Sequence, residues 1–299
     1  MFIIYINDLP NVSNLTQSLL FADDTSIFCS HKDANHLVSI VNNELAKIII
    51  WLKVNKLSLN LTKTNFMIFH PRQKKVNVNV PLTLENTVIK QVMETKFLVV
   101  LIDQHLSWKP HIDFVSQKIL KSVGIIAKAH FYLSFQTLMI LYYSLVYPFL
   151  TYCNVAWSFT YCSNLNCIYL LQKRLVRLIT KAHYLANTAP LFSQLKVLDI
   201  FSINLFSVTT FMYCYHHNLL PSSFRDLFLS SNLKSINTKI RLASQYRPHF
   251  CRSNIKQFSI LYRGPKIWNS LPVSLISSPS IFVVKKNLKN YLTDSRSVA

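Results

Sequence analysis

The stretch Ser18-Leu19-Leu20-Phe21-Ala22-Asp23-Asp24-Thr25-Ser26-Ile27-Phe28-Cys29 sets two adjacent carboxylates between two short apolar runs. Apolar and β-branched residues on either side of an acidic pair predict two strands joined by a tight turn. The turn would put both acids where they stay hydrated, because a buried strand interior does not tolerate an unpaired charge. Leu19 and Phe21 would share one face before the turn, and Ile27 would follow on after it. Downstream, Leu37, Ile40, Val41, Leu45, Ile48, Ile49 and Leu52 recur at three- and four-residue spacing, which predicts one amphipathic helix. Leu57–Leu61 and Asn65–Phe69 read as further strands, separated by Asn60 and Thr62–Thr64. The segment 76–103 is extended in character, with runs at Val76–Val80, Leu82–Leu84, Val88–Ile89 and Lys96–Ile102 and a turn at Glu85-Asn86.

Beyond Pro110 the texture becomes helical. Ile112, Val115, Ile119, Val123 and Ile126 mark one helix, Thr137–Tyr147 a second, and Asn164–Lys181 a third. From about residue 230 the chain turns Ser-rich and basic, a weaker helical or loop-rich tail that ends in Phe282–Leu292. The expected fold class is therefore α+β, divided as 1–106 mixed strands and helix, 107–229 helical, and 230–299 a basic C-terminal region.

Composition excludes several functions. The chain holds two glycines, Gly124 and Gly264, where average usage would give roughly 21. Neither a phosphate-cradling P-loop nor a dinucleotide fingerprint can be written with so few. No Cys-x-x-Cys pair occurs among the six cysteines, so zinc is not expected. So few thiols in 299 residues fit a reducing intracellular compartment, nucleus or cytoplasm, rather than secretion. The apolar start lacks a basic leader and a cleavage site. Residues 129–172 carry no Asp, Glu, Lys or Arg. A membrane association through 131–157 is thus an alternative, although Pro148, Asn154 and the polar cluster Ser158–Asn166 interrupt the run.

Charge points to a polyanion. Within residues 1–60, four lysines face five acids, so the whole of the +20 net charge lies beyond residue 60. Lys173, Arg177 and Lys181 recur at four-residue steps with Arg174 beside them, opposite Leu171, Leu175, Leu178 and Ile179. One face of such a helix can bury while the other tracks phosphates. Lys285, Lys286 and Lys289 repeat the pattern weakly. The four tryptophans, Trp51, Trp108, Trp157 and Trp268, read as packing anchors.

Paired carboxylates suit a hard cation such as Mg²⁺, which takes one or two carboxylates plus substrate phosphates. The surroundings of the pair narrow the reading. Tyr5-Ile6-Asn7-Asp8-Leu9-Pro10 followed by Leu20-Phe21-Ala22-Asp23-Asp24-Thr25 resembles the reverse transcriptases of non-LTR retrotransposons (LINE-like, jockey type), in which a Tyr/Phe-Ala-Asp-Asp turn supplies catalytic metal ligands. Trp51-Leu52 through Asn55-Lys56-Leu57-Ser58-Leu59-Asn60 and Lys63-Thr64 resembles the next palm motif. Lys96-Phe97-Leu98, Ile102-Asp103 and Leu106-Ser107-Trp108 through His111-Ile112 are similar to the primer grip. Tyr147-Pro148, Tyr152, Trp157 and Gln172-Lys173-Arg174 resemble the helical thumb, and Tyr262–Pro272 is similar to a C-terminal signature of these elements.

The resemblance implies a truncated right-hand polymerase palm, a small antiparallel sheet plus a helix, followed by a mostly helical thumb and C-terminal region. It implies that Asp23 and Asp24 are catalytic Mg²⁺ ligands and that Lys63 positions or protonates pyrophosphate. Lys96, Lys173, Arg174, Arg177 and Lys181 would contact nucleic acid, an RNA template and DNA primer, with no small-molecule cofactor. It also implies that a further essential aspartate and the fingers lie upstream of residue 1. Without them the stretch is expected to be catalytically incomplete, and it becomes an active reverse transcriptase only if an upstream palm is supplied. The family has Gly after the Lys-Phe-Leu of the primer grip, where Val99 stands here. A β-branched residue is strained if that backbone needs a positive φ.

Overall fold

A computed structural model describes residues 2–74, 76–77, 80–85, 87–230 and 246–294. The expected strand at Val76–Val80 lies partly outside these residues, as do Asn86 and the Ser-rich stretch 231–245. The chain forms two compact units. The first comprises residues 1–97 and 103–106, and the second 98–102 and 107–299.

In the first unit, helix α1 (Phe2–Tyr5) and a 3-10 turn (Leu9–Val12) precede strands β1 (Gln17–Phe21) and β2 (Asp24–Phe28). Helix α2 (Ala34–Val54) follows, its N-terminus capped by Asp33, whose carboxylate accepts from the His36 amide at 2.7 Å. Its buried stripe is Val38, Leu45, Ile48 and Leu52. These pack on Ile6, Leu9, Leu82, Leu84 and Ile89, with Leu20 and Ile27 partly covered beside them. Burial of each such side chain stabilises by roughly 1.5–3 kcal/mol. The Asn42 amide fixes the neighbouring strand: its Nδ2 donates to the Pro81 carbonyl (3.1 Å), and its Oδ1 accepts from the Thr83 amide (3.0 Å).

The remaining strands are β3 (Asn65–Phe66), β4 (Thr83–Leu84), β5 (Thr87–Val88), β6 (Lys90–Gln91), β7 (Glu94–Phe97) and β8 (Val100–Asp103). Among the described residues every sheet is a two-stranded pair, and β3–β6 is parallel. Leu57–Leu61 is not a strand. Lys56, at φ 55°, ends α2, and Asn60 then collects the chain into a turn. Its side-chain oxygen accepts from the Thr62 hydroxyl (2.6 Å) and its carbonyl from the Thr64 amide (3.1 Å). Such local bonding by Asn competes with a strand ladder. Nor is Lys96–Ile102 one extended run, because Leu98 and Val99 both adopt positive φ, 43° and 71°.

The second unit is built on α3 (Lys109–Ala129) packed against α7 (Cys162–Thr180). The α3 stripe Ile112, Val115, Ile119, Val123 and Ile126 is fully buried, facing Leu165, Ile168, Leu175, Val176 and Ile179. Between them the apolar run 131–157 breaks into α4 (Phe135–Leu145), α5 (Tyr147–Thr151) and α6 (Asn154–Trp157). None of these three approaches the ~20 residues needed to span a bilayer. Helices α8 (Ala189–Leu195) and α9 (Ile200–His216) follow. Among the described residues no single helix is long and apolar enough to cross a membrane. By length and composition α8 and α9 would suffice together, but they are bent by 48°.

Gln172 is fully buried, and its amide has three partners. It donates to the Tyr142 hydroxyl (3.2 Å) and the Leu198 carbonyl (3.3 Å) and accepts from the Ile200 amide (2.7 Å). It thereby satisfies backbone groups at the start of α9 that would otherwise be orphaned in the core.

The residues after 246 are more regular than the expected tail. Strands β9 (Leu229–Ser230) and β10 (Tyr246–Arg247) pair. Then come α10 (Asn254–Gln257), α11 (Ile260–Asn269), α12 (Val273–Ile276) and α13 (Ile281–Asp294). Trp268, Ile276 and Val284 join Met212 and Tyr213 of α9 in a second core of this unit. The Tyr262–Pro272 block is thus a packing device. Trp268 is its anchor, and Asn269 clamps Tyr246 through both halves of its amide (3.2 and 2.8 Å). Gly264 lies where an added Cβ would come within 2.8 Å of the Met212 sulfur.

Candidate active site and basic face

Phe21 pairs opposite Asp24, so Ala22 and Asp23 form a two-residue hairpin loop. Ala22 has φ 51°. Positive φ at this place in a hairpin normally calls for Gly, Asn or Asp, and an alanine held there stores about 1–2 kcal/mol of strain. Both acids are exposed. Among the described residues neither carboxylate is held by a hydrogen bond or an ion pair.

Leu19 and Phe21 share one face of the hairpin, as expected, and that face is the open one. Leu20 and Ile27 turn towards the core, whereas Leu19 and Phe21 lie on the opposite face and are exposed, as is Phe28. Alternation along a strand permits either register of burial, and the α2 stripe selects Leu20. Asp24 therefore stands on a partly apolar open face.

The acid pair fits one hard cation that brings its own waters or substrate phosphates. It does not fit a two-ion clamp unaided. Among the described residues no group of three or more His, Cys, Asp or Glu gathers in an arrangement that could hold a metal.

Lys63 is exposed in the Asn60 turn, and among the described residues nothing joins it to Asp23 or Asp24. Lys96 is exposed on β7, in the first unit. The helical cations belong to the second unit, and they are not equivalent. Lys173 is half-buried, with its ammonium 4.5 Å from the centre of the Tyr169 ring. Arg177 is half-buried, and its Nε donates to the Ala186 carbonyl at 2.9 Å. Arg174 is exposed. Lys181 is the left-handed residue that ends α7, at φ 55°. Four-residue spacing thus predicted one face, whereas two of its members also serve local packing.

A feature that spacing did not reveal lies at the same end of the unit. His130, Phe131, Arg177, Leu178, Lys181 and Ala182 line a shallow hollow of about 260 Å³. The available signal was the aromatic run His130-Phe131-Tyr132 directly after a 21-residue amphipathic helix.

Two curated proteins of Drosophila melanogaster resemble the chain. It is 21% identical over 208 residues to the probable RNA-directed DNA polymerase from transposon X-element, a match covering 67% of this chain and 23% of that protein. It is 23% identical over 207 residues to the probable RNA-directed DNA polymerase from transposon BS, covering 66% and 23% respectively. No family model matches, and no solved structure matches. The chain is therefore distantly similar to transposon RNA-directed DNA polymerases over two thirds of its length. It matches about a quarter of the length of those relatives.

Proposed function

We propose that this chain is part of a mobile-element reverse transcriptase, carrying the two-carboxylate turn of the palm and a helical, thumb-like second unit. In this reading it engages a template–primer and does not polymerise by itself. The observation that carries it is the exposed Asp23–Asp24 hairpin, set in a chain similar to transposon RNA-directed DNA polymerases. A two-metal in-line phosphoryl transfer holds one ion at the attacking and one at the leaving oxygen, and the two carboxylates of one hairpin do not hold both. Asp23 and Asp24 would hold Mg²⁺ through hard oxygens, and the ion would supply charge neutralisation at the phosphates. The chain's own contribution is to present both acids from one strained turn and to place Arg174 and Lys181 towards solvent for phosphate contact.

The test is primer extension on an RNA template with Mg²⁺, comparing the chain with Asp23→Ala. The expected result is no product above background from either. Product from the unmodified chain that disappears in Asp23→Ala would show that the pair suffices and would remove the claim of incompleteness.

A further inference from the structure

The hollow at the end of α7 combines an open aromatic ring, a restrained guanidinium, an exposed ammonium and an apolar wall. Phe131 is 74% exposed, and its ring centre lies 3.8 Å from that of His130. His130 is itself held by its backbone amide on the Ile126 carbonyl (2.8 Å) and by its Nδ1 on the Ala127 carbonyl (2.6 Å). The Arg177 bond to Ala186 restrains the guanidinium and leaves its terminal nitrogens for another acceptor. Lys181 is exposed at the rim, while Leu178 and Ala182 complete the wall. No Asp or Glu occurs anywhere in residues 114–198, against eight Lys or Arg, so the surrounding chain carries no side-chain charge opposed to an anion.

From these features we propose that the hollow binds one nucleotide of a single-stranded nucleic acid, its base stacked on Phe131 and its phosphate between Arg177 and Lys181. A stacked base needs a free face, which a single strand offers and a duplex conceals. Because every base has such a face, the site would not discriminate sequence. The proposal rests on the nucleic-acid reading above and adds to it a second binding mode, distinct from the hybrid. Anionic lipid is the other polyanion that the charge could serve, and it becomes an outcome of the test.

Binding of labelled oligo(dT) and of a labelled RNA–DNA hybrid is measured on the full chain by fluorescence anisotropy at ~50 mM salt, a condition that favours phosphate contacts. Two variants are compared. Phe131→Ala changes an exposed ring. Lys181→Gly removes a charge and at the same time relieves a left-handed φ, so neither threatens the fold. Each variant is expected to weaken oligo(dT) binding, Phe131→Ala by about tenfold, the usual scale for one stacked base. With Phe131→Ala the hybrid affinity should stay within about twofold. Unchanged oligo(dT) affinity in both variants, with the unmodified chain still binding the hybrid, overturns the hollow and spares the proposed function. Binding of neither nucleic acid by the unmodified chain overturns both. Vesicles containing phosphatidylserine that bind while oligo(dT) does not would likewise overturn the proposal.

Discussion

Leu98 and Val99 turn the chain between β7 and β8 with both φ values positive, the pattern of a type I′ loop that normally takes Asn-Gly. The turn is held in part by the Tyr152 hydroxyl, which donates to the Leu98 carbonyl at 2.8 Å. A β-branched side chain in this conformation costs about 1–2 kcal/mol, from which the greater chain entropy of glycine subtracts a part. Val99→Gly should therefore raise stability by about 1 kcal/mol in urea unfolding, and no gain would show that the turn tolerates Val99 without strain. His111 is a second residue with a measurable consequence. It is buried against Trp157, and its Nδ1 accepts from the Leu101 amide at 3.3 Å. Burial holds its pKa below the ordinary value of 6.5, and His216 is lowered for the same first reason. The unfolded chain then binds more protons than the folded one, so stability is full above pH 6.5 and falls as pH drops through it. The urea midpoint should decline between pH 7.5 and 5.5, and less so in His111→Gln. An identical decline in the variant would assign the effect elsewhere.

At the scale of elements, the two glycines give opposite predictions. Gly124 is exposed within α3, and a Cβ there would meet nothing within 4 Å. Gly124→Ala should stabilise by about 0.5–1 kcal/mol through helix propensity alone. Gly264 gains the same propensity in α11, but its Cβ would press on the buried Met212 and on Ile260. Overpacking of this kind costs ~1–3 kcal/mol, so Gly264→Ala should lower the melting temperature while Gly124→Ala raises it. Equal shifts would mean that the α9–α11 contact is slack. The same elements show what sequence could and could not tell. The α3 stripe was legible because five β-branched residues repeat at helical period on one buried face. Helix α9 carries no such signal: it is apolar on most sides and has little periodic contrast. The hairpin was legible as a turn, but its buried face was not, since Leu19 and Leu20 are equally apolar and α2 decides between them. For the basic face, spacing alone does not show that Lys173 also rests on Tyr169 or that Arg177 also holds Ala186.

Across the whole molecule, the net charge of +20 is carried beyond residue 60, while the acid pair that chemistry would need lies within the first 60 residues. In the proposed function that separation divides the work, one part holding a metal-bound phosphate and another the backbone of a polyanion. If the proposed reading holds, ionic strength is the governing variable, since contacts to phosphates release condensed counterions and weaken linearly on a log–log scale with salt. The most direct test is the affinity of the chain for a labelled RNA–DNA hybrid between ~50 and ~200 mM NaCl. With roughly four phosphates engaged, the expected log–log slope is about −3 to −4, or around a hundredfold loss across that range. A response flatter than twofold, or no binding at the lowest salt, would contradict the proposed reading of this chain as part of a reverse transcriptase.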